Sequence, residues 1–136
     1  MGRPLTPALT VDVVIELVDR PGRPFVLVER RNPPPGFALP GGFVDVGETV
    51  EDAARREALE ETGLAVTLKS LLGVYSDPKR DPRLHTVSIA YVGQARGEPK
   101  AGDDAARIRI ATLDDLPELA FDHAQILADY ACSRTA

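Results

Sequence analysis

The sequence contains a single cysteine, no tryptophan and no excess of positive charge. One cysteine, Cys132, excludes an internal disulfide and every metal site that needs several cysteines. The formal net charge of −5 argues against nonspecific binding to nucleic acid, which requires a basic surface. We expect no signal peptide from the first residues, and no apolar run approaches the roughly 18 residues that a membrane helix needs. We therefore expect a cytoplasmic protein without nucleic-acid or membrane partners.

The order of the predicted elements indicates the fold class. With 136 residues, of which 43% are hydrophobic and 27% charged, the chain is large enough for one core, and we expect a single domain over residues 1–136. Strand patterns occur at residues 9–18, 24–31, 66–76, 86–94 and 107–111, and helix patterns at residues 50–62 and 123–134. Because strands and helices do not alternate regularly, a doubly wound parallel sheet is disfavoured. We predict an α/β fold in which a mixed β-sheet is sandwiched between helices.

Residues 42–64 hold an unusual excess of negative charge, with seven acidic residues against two basic ones, Arg55 and Arg56. Thr49 is a good N-cap, and Gly63 can take the left-handed conformation that ends a helix. These two residues predict a helix over residues 50–62.

Three carboxylates share the helix face that should point inward. At 100° per residue, Glu57, Glu60 and Glu61 lie on the same side as the small and apolar residues Val50, Ala53, Ala54 and Leu64. Carboxylates at this spacing repel one another, and partial burial makes unpaired charges more costly. A hard divalent cation such as Mg²⁺ relieves this repulsion and commonly takes further ligands from substrate phosphates. The alternative, a solvated acidic helix, ranks second because the acids lie on the inward face.

The same segment resembles the Nudix box, a motif of the form Gly-x5-Glu-x7-Arg-Glu-U-x-Glu-Glu-x-Gly-U in which U is aliphatic. The fixed positions are matched by Gly42, Glu48, Arg56, Glu57, Glu60, Glu61 and Gly63. In that family the box forms a loop, a helix and a loop that hold Mg²⁺ or Mn²⁺ against a diphosphate. The resemblance implies the Nudix fold, and it implies that Glu57, Glu60 and Glu61 are metal ligands. It further implies the Gly42 carbonyl as another ligand and Glu48 with Arg56 as a supporting ion pair.

Segments outside the box resemble the ADP-ribose pyrophosphatase branch of this family, at residues 72–78, 81–83, 101–105 and 119–123. The resemblance implies metal-dependent hydrolysis of ADP-ribose to AMP and ribose 5-phosphate, and it allows a homodimer. Another substrate stays open as an alternative: a sugar nucleotide, a dinucleoside polyphosphate or an oxidised nucleoside triphosphate. A nucleotide sensor without catalysis is the alternative from another class, and it ranks lower because every acid of the box is present.

Several residues outside the helix are candidate contacts for this small nucleotide substrate. Two arginines end a predicted strand, and a third lies in a polar loop, so each guanidinium can bind a phosphate bidentately. Each also has an ordinary structural explanation, as a solvent-facing strand end or a loop charge. The candidates are Arg30, Arg31, Tyr75, Arg83 and His85.

The general base is left open between two places in the chain. Glu57 is one candidate, and the other is an acid of the Asp103-Asp104 loop, because Nudix enzymes often supply a further acid from a loop at about this place. Such a pair is otherwise an ordinary turn former. Glu61 is the box acid whose change to Gln we expect to abolish turnover.

Two further expectations concern residues near the box and the last helix. The paired glycines Gly41 and Gly42 allow a backbone conformation closed to other residues and let a ligand approach the main chain. His123 lies in the first turn of the last helix, where the helix dipole disfavours positive charge, so we expect a neutral packing or hydrogen-bonding residue.

Overall fold

The structure is a computed structural model that describes residues 2–102 and 105–135. The predicted helices and the five predicted strands are all confirmed, with ends that differ by no more than two residues. Two short strands before the first helix, at residues 37–38 and 41–43, were not predicted. The elements of the described residues are β1 Ala8–Leu17, β2 Phe25–Arg30, β3 Phe37–Ala38, β4 Gly41–Phe43, α1 Val50–Thr62, β5 Thr67–Tyr75, β6 Thr86–Ala95, β7 Ala105–Ala111 and α2 His123–Thr135.

The strands form one mixed sheet with the order β3-β2-β1-β6-β5, while β7 pairs with β2 and β4 pairs with β1. The long pair β1 and β6 is parallel, and the other pairs are antiparallel. On its other edge, β1 pairs with β4 along residues 10–12 and with β2 at Glu16. Strand β4 therefore pairs with the first half of this edge of β1 and β2 with the second half. Residues from all three strands line one cleft.

Side chains of β1 alternate between the two faces of the sheet. Val11, Val13, Ile15 and Leu17 pack with the buried alanines of α1 in one core cluster, whereas Val14 packs with residues of α2 in a second cluster. This alternation places two buried carboxylates, Asp12 and Glu16, on the α2 face. Helices thus cover both faces of the sheet, which confirms the predicted α/β/α arrangement.

Helix α1 begins and ends as its sequence predicts. The Thr49 hydroxyl accepts a 3.0 Å hydrogen bond from the Asp52 amide, and Gly63 ends the helix in the left-handed region with a φ of 73°. The residues that α1 buries are small, which lets the helix lie close to the sheet: Ala53, Ala54, Ala58 and Thr62. Neither helix in the described part of the chain is long and apolar enough to cross a membrane.

Candidate active site

A cleft of about 260 Å³ opens where the edges of strands β1 to β4, the last turn of α1 and the loops before β6 and α2 meet. Its walls carry both the acidic box and a group of basic side chains. The polar and aromatic residues that line it are Thr10, Asp12, Glu29, Arg30, Arg31, Asn32, Phe43, Glu61, Arg80, Asp81, Arg83, Thr86, Phe121 and His123, together with the main chain of Gly41 and Gly42.

The two glycines bring the main chain against the glutamates of α1. The Gly41 amide donates a 2.9 Å hydrogen bond to Oε2 of Glu61. A Cβ on Gly42 would lie 2.6 Å from Cδ of Glu57, and a Cβ on Gly41 would lie 2.1 Å from the carbonyl oxygen of Val11. The expectation of a special backbone conformation is wrong, because the positive φ angles belong to other glycines, such as Gly63. These two positions need glycine because other atoms approach them closely.

Arg56 contacts several carboxylates of the box. Its Nε and Nη2 donate to both oxygens of Glu48, at 2.7 and 2.9 Å, so the predicted ion pair is present and bidentate. The Arg56 guanidinium lowers the pKa of the Glu48 carboxyl to about 2, with help from the Asp45 amide that also donates to it. Nη1 of Arg56 donates to Glu57 at 2.8 Å and to Glu60 at 3.3 Å. Arg56 thus fixes the position of the loop that precedes α1.

The three candidate metal ligands differ in their surroundings. Glu60 is exposed, whereas Glu57 and Glu61 are partly buried against the glycine main chain. Burial raises the pKa of the Glu57 carboxyl above its ordinary value, although the hydrogen bond from Arg56 opposes this shift. A nearby cation would favour the ionised form of such a carboxyl.

The donor chemistry fits a hard divalent cation, because Glu57, Glu60, Glu61 and the Gly42 carbonyl offer only oxygen atoms. Within residues 2–102 and 105–135, however, no three acidic, histidine or cysteine side chains converge closely enough to hold an ion. Arg56 instead bonds to Glu57 and Glu60. A metal ion held at this place would compete with Arg56 for these two carboxylates.

The three predicted arginines line the cleft together. Arg30 donates from Nε to the Pro34 carbonyl at 2.8 Å, and burial lowers the pKa of its guanidinium, with a further contribution from the charge of Arg83. Arg83 forms a 2.8 Å ion pair with Asp81, which raises the pKa of Arg83. Arg31 is exposed at the rim. The cleft thus places positive charge opposite the acidic box, which suits an anionic ligand.

The remaining predicted site residues lie elsewhere. The Tyr75 hydroxyl donates to Asp129 at 2.6 Å, and Tyr75 lines a second cavity that shares Arg80 and Phe121 with the cleft. His85 is exposed, and its Nε2 lies 3.0 Å from the Ser76 carbonyl oxygen. Asp103 and Asp104 lie outside the described residues.

A buried polar network that lines part of the cleft was not predicted. Arg80 donates to both oxygens of Asp122, at 2.7 and 3.0 Å, and to the Thr86 hydroxyl at 2.7 Å. His123 is 2% exposed, and its Nε2 lies 3.4 Å from Oδ1 of Asp12. The only sequence signal for this network is Asp12 itself, a charged residue inside a strand of β-branched apolar residues.

Comparisons with known proteins agree with this geometry. Residues 7–130 match the family model of the NUDIX domain. An ADP-ribose pyrophosphatase of Methanocaldococcus jannaschii is 52% identical over 129 residues, which cover 93% of this chain and 74% of that relative. A solved MutT/nudix family protein from Enterococcus faecalis has a TM-score of 0.84 at 28% identity, over 95% of this chain and 62% of that protein. The NUDIX domain of Shewanella oneidensis NrtR, solved in complex with ADP ribose, has a TM-score of 0.82 at 26% identity, over 97% of this chain and 90% of that domain.

Proposed function

The chain belongs to the Nudix family of hydrolases, and from this premise we propose that it hydrolyses ADP-ribose to AMP and ribose 5-phosphate. The observation that carries the proposal is that the box carboxylate Glu61 and the guanidinium groups of Arg30 and Arg83 line one cleft. A diphosphate needs both kinds of group, because its charge must be bound and its anhydride bond must be attacked. The similarity to the Methanocaldococcus jannaschii ADP-ribose pyrophosphatase and to the NrtR domain solved with ADP ribose supports this substrate.

In this proposal, Arg30 and Arg83 bind the phosphate oxygens. A guanidinium matches a phosphate with two parallel hydrogen bonds and keeps its charge at every working pH. Arg31, at the rim of the cleft, can add a third contact. Hydrolysis of a phosphoanhydride depends largely on positioning and on neutralising the charge that develops in the transition state, so these side chains contribute to both binding and rate.

Nudix hydrolases generally depend on a divalent metal, and we assign Mg²⁺ here, with Mn²⁺ as the substitute. Glu57, Glu60, Glu61 and the Gly42 carbonyl would hold it. When bound, such an ion polarises a phosphoryl oxygen and makes water a stronger nucleophile near neutral pH. Arg56 holds Glu57 and Glu60 in place before the ion binds, and Glu48 in turn holds Arg56.

The water proton goes to a carboxylate as the water oxygen bonds to phosphorus and the bridging P–O bond breaks. Within the described residues Glu57 is the candidate base, because its half-buried carboxylate lies against the Gly42 main chain inside the box. Asp103 and Asp104 stay the alternative. Light scattering tests the homodimer that the resemblance allows, and cell fractionation tests the cytoplasmic location that we expect from the sequence.

The experiment that tests the function is a substrate panel. We would incubate the purified protein with Mg²⁺ and ADP-ribose, sugar nucleotides, dinucleoside polyphosphates or nucleoside triphosphates, and follow the products by chromatography. Preferred release of AMP from ADP-ribose is the expected result. Preference for another compound would overturn the proposal that ADP-ribose is the substrate, but the proposed metal-dependent hydrolysis would stand. No turnover by a folded protein that binds the metal would favour a nucleotide sensor.

A further inference from the structure

Phe121 has an unusual backbone conformation beside the cleft. Its φ is 54°, in the left-handed region that residues other than glycine rarely adopt. Among the described residues, the other non-glycine case is Arg23, which lies in the turn after β1. A strained residue of this kind persists where its surroundings hold it in place, and it is often found at a functional site.

The neighbours of Phe121 on both sides are fixed by hydrogen bonds to other parts of the fold. The Ala120 amide donates to the Phe37 carbonyl at 2.8 Å. On the other side, the Asp122 carboxylate accepts both hydrogen bonds from buried Arg80. Because these contacts tie the segment to β3 and to the loop before β6, the Phe121 ring has little freedom to leave the cleft wall.

The ring of Phe121 contacts two of the arginines that face the cleft. The guanidinium carbon of Arg30 lies 4.6 Å from the ring centroid, and that of Arg83 lies 5.3 Å from it. Arg83 also lies 5.8 Å from the centroid of Phe43 in the box. Two like charges repel when they are brought together, and the negative face of an aromatic ring offsets part of this repulsion.

We propose that Phe121 is a positioning residue for phosphate binding: its ring holds the guanidinium groups of Arg30 and Arg83 side by side in the cleft, so that both can reach one diphosphate. This inference rests on the proposed function for its substrate. Phe121 itself touches no reacting atom. It acts by reducing the rotamer freedom of two long side chains, which lose conformational entropy when they bind an anion.

The test replaces the ring and measures KM and kcat for ADP-ribose separately. Phe121→Asn removes the ring but keeps a residue type that accepts the left-handed conformation, and Phe121→Leu keeps an apolar side chain. We expect both to raise KM by roughly 3- to 30-fold, the range that a cation–π contact covers, while kcat changes by less than about threefold. Phe121→Tyr retains the ring and should keep KM near the wild-type value.

Two controls separate positioning from general damage to the fold. Arg107→Gln removes a guanidinium that lies 5.8 Å from the ring of Phe37 and outside the residues that line the cleft, and it should leave KM unchanged. In an Arg30→Gln background, Phe121→Leu should raise KM by a smaller factor than in the wild type, because one of the two guanidinium groups is already gone. Thermal melting of every variant identifies any that fail to fold.

Titration calorimetry with inorganic pyrophosphate, without added divalent ions, tests the same inference independently of turnover. Wild-type protein should bind pyrophosphate more tightly than Phe121→Asn by about the factor seen in KM. If wild-type protein binds pyrophosphate but does not hydrolyse ADP-ribose, the proposed function fails and this comparison still decides the role of Phe121. Equal KM and equal pyrophosphate affinity in wild type and Phe121→Asn would overturn the inference. A wild-type protein that neither binds pyrophosphate nor hydrolyses ADP-ribose would overturn both proposals.

Discussion

The main-chain amide of Leu39 donates a 3.0 Å hydrogen bond to Nδ1 of His123, 84 positions later in the chain. Because Nδ1 is the acceptor, the ring is neutral and its proton lies on Nε2, which faces Asp12. The helix dipole predicts a neutral histidine at this place, and the hydrogen bond from Leu39 shows what the neutral ring does: it accepts a buried main-chain N–H. It ties the start of α2 to the residues that lead into Gly41 and Gly42, and so it links the last helix to the acidic box.

His123→Leu should lower the free energy of unfolding by about 2–4 kcal/mol, because it leaves the buried Leu39 amide without its acceptor and removes the imidazole beside the buried Asp12 carboxylate. Urea denaturation of the wild-type and variant proteins measures the difference. His85→Leu is the matched control, since His85 is exposed, and it should change stability by less than about 0.5 kcal/mol. Equal effects at the two positions would contradict this role for His123.

Arg80→Met should destabilise the fold by about 3–5 kcal/mol, because removing one partner of a buried ion pair leaves the other charge uncompensated. The Arg80 side chain is 4% exposed and that of Asp122 is 24% exposed. A double-mutant cycle with Asp122→Asn, followed by urea denaturation, isolates the pair. We expect the double variant to be less damaged than the sum of the two single variants; strict additivity would mean that the pair contributes nothing of its own.

Local signals explain why the acidic helix could be predicted from sequence. Thr49, Gly63 and the buried alanines lie within one short segment, and each acts on its immediate neighbours. The box spacing is equally local, which is why the candidate metal ligands and the Glu48–Arg56 pair could be named before the structure was known.

Long-range contacts explain what the sequence could not predict. Strands β3 and β4 have two and three residues, too few to show a periodic pattern. In the sequence, Arg80 is one of several basic residues in a polar loop. In the structure it is buried and donates to Asp122, which lies 42 positions later in the chain. The left-handed backbone conformation of Phe121 depends on the contacts of its neighbours, so no local residue pattern predicts it. The sequence offers Tyr75 and His85 as substrate contacts only by their position in the chain, and both lie outside the lining of the cleft.

Glu48 should make the fold sensitive to acid. Its pKa is lowered from 4.5 to about 2 in the folded protein, chiefly by the hydrogen bond from Arg56. A carboxyl whose pKa is lower in the folded than in the unfolded chain stabilises the fold above its unfolded pKa, and this stabilisation is lost as the pH falls from about 4.5 towards 2.

Urea midpoints of wild type and Glu48→Gln, measured across this pH range, test the prediction. The two curves should converge at low pH and separate at neutral pH, with the wild type more stable. Glu118→Gln, at an exposed position, is the control and should follow the wild-type curve. Parallel curves for wild type and Glu48→Gln would show that the ion pair with Arg56 does not act on stability.

The two glycines of the cleft should respond differently to the same change. In Gly42→Ala the new methyl group meets the Glu57 carboxylate, the mobile end of a side chain, whereas in Gly41→Ala it meets the Val11 carbonyl at 2.1 Å. We therefore expect Gly42→Ala to fold with a melting temperature near that of the wild type but to bind Mg²⁺ more weakly. Gly41→Ala should lose several degrees of melting temperature, because main-chain atoms have to move. Calorimetric titration of Mg²⁺ and thermal melting measure the two effects, and the reverse pattern would contradict the assignment of Glu57 as a ligand.

Glu61→Gln should lower kcat by about 100- to 1000-fold, the cost of removing one group that neutralises charge in a transition state, while the protein stays folded. The fold should survive because the amide oxygen of Gln can still accept the hydrogen bond from Gly41 that Glu61 accepts at 2.9 Å. Steady-state kinetics with ADP-ribose and a thermal melt of the same sample separate activity from stability. Glu98→Gln removes a carboxylate of the same size from a side chain that is 75% exposed and paired with Arg20, and it should leave kcat unchanged. If Glu61→Gln kept full activity, Glu61 would not act in the reaction, and the cation would have to be held by the other acids of the box.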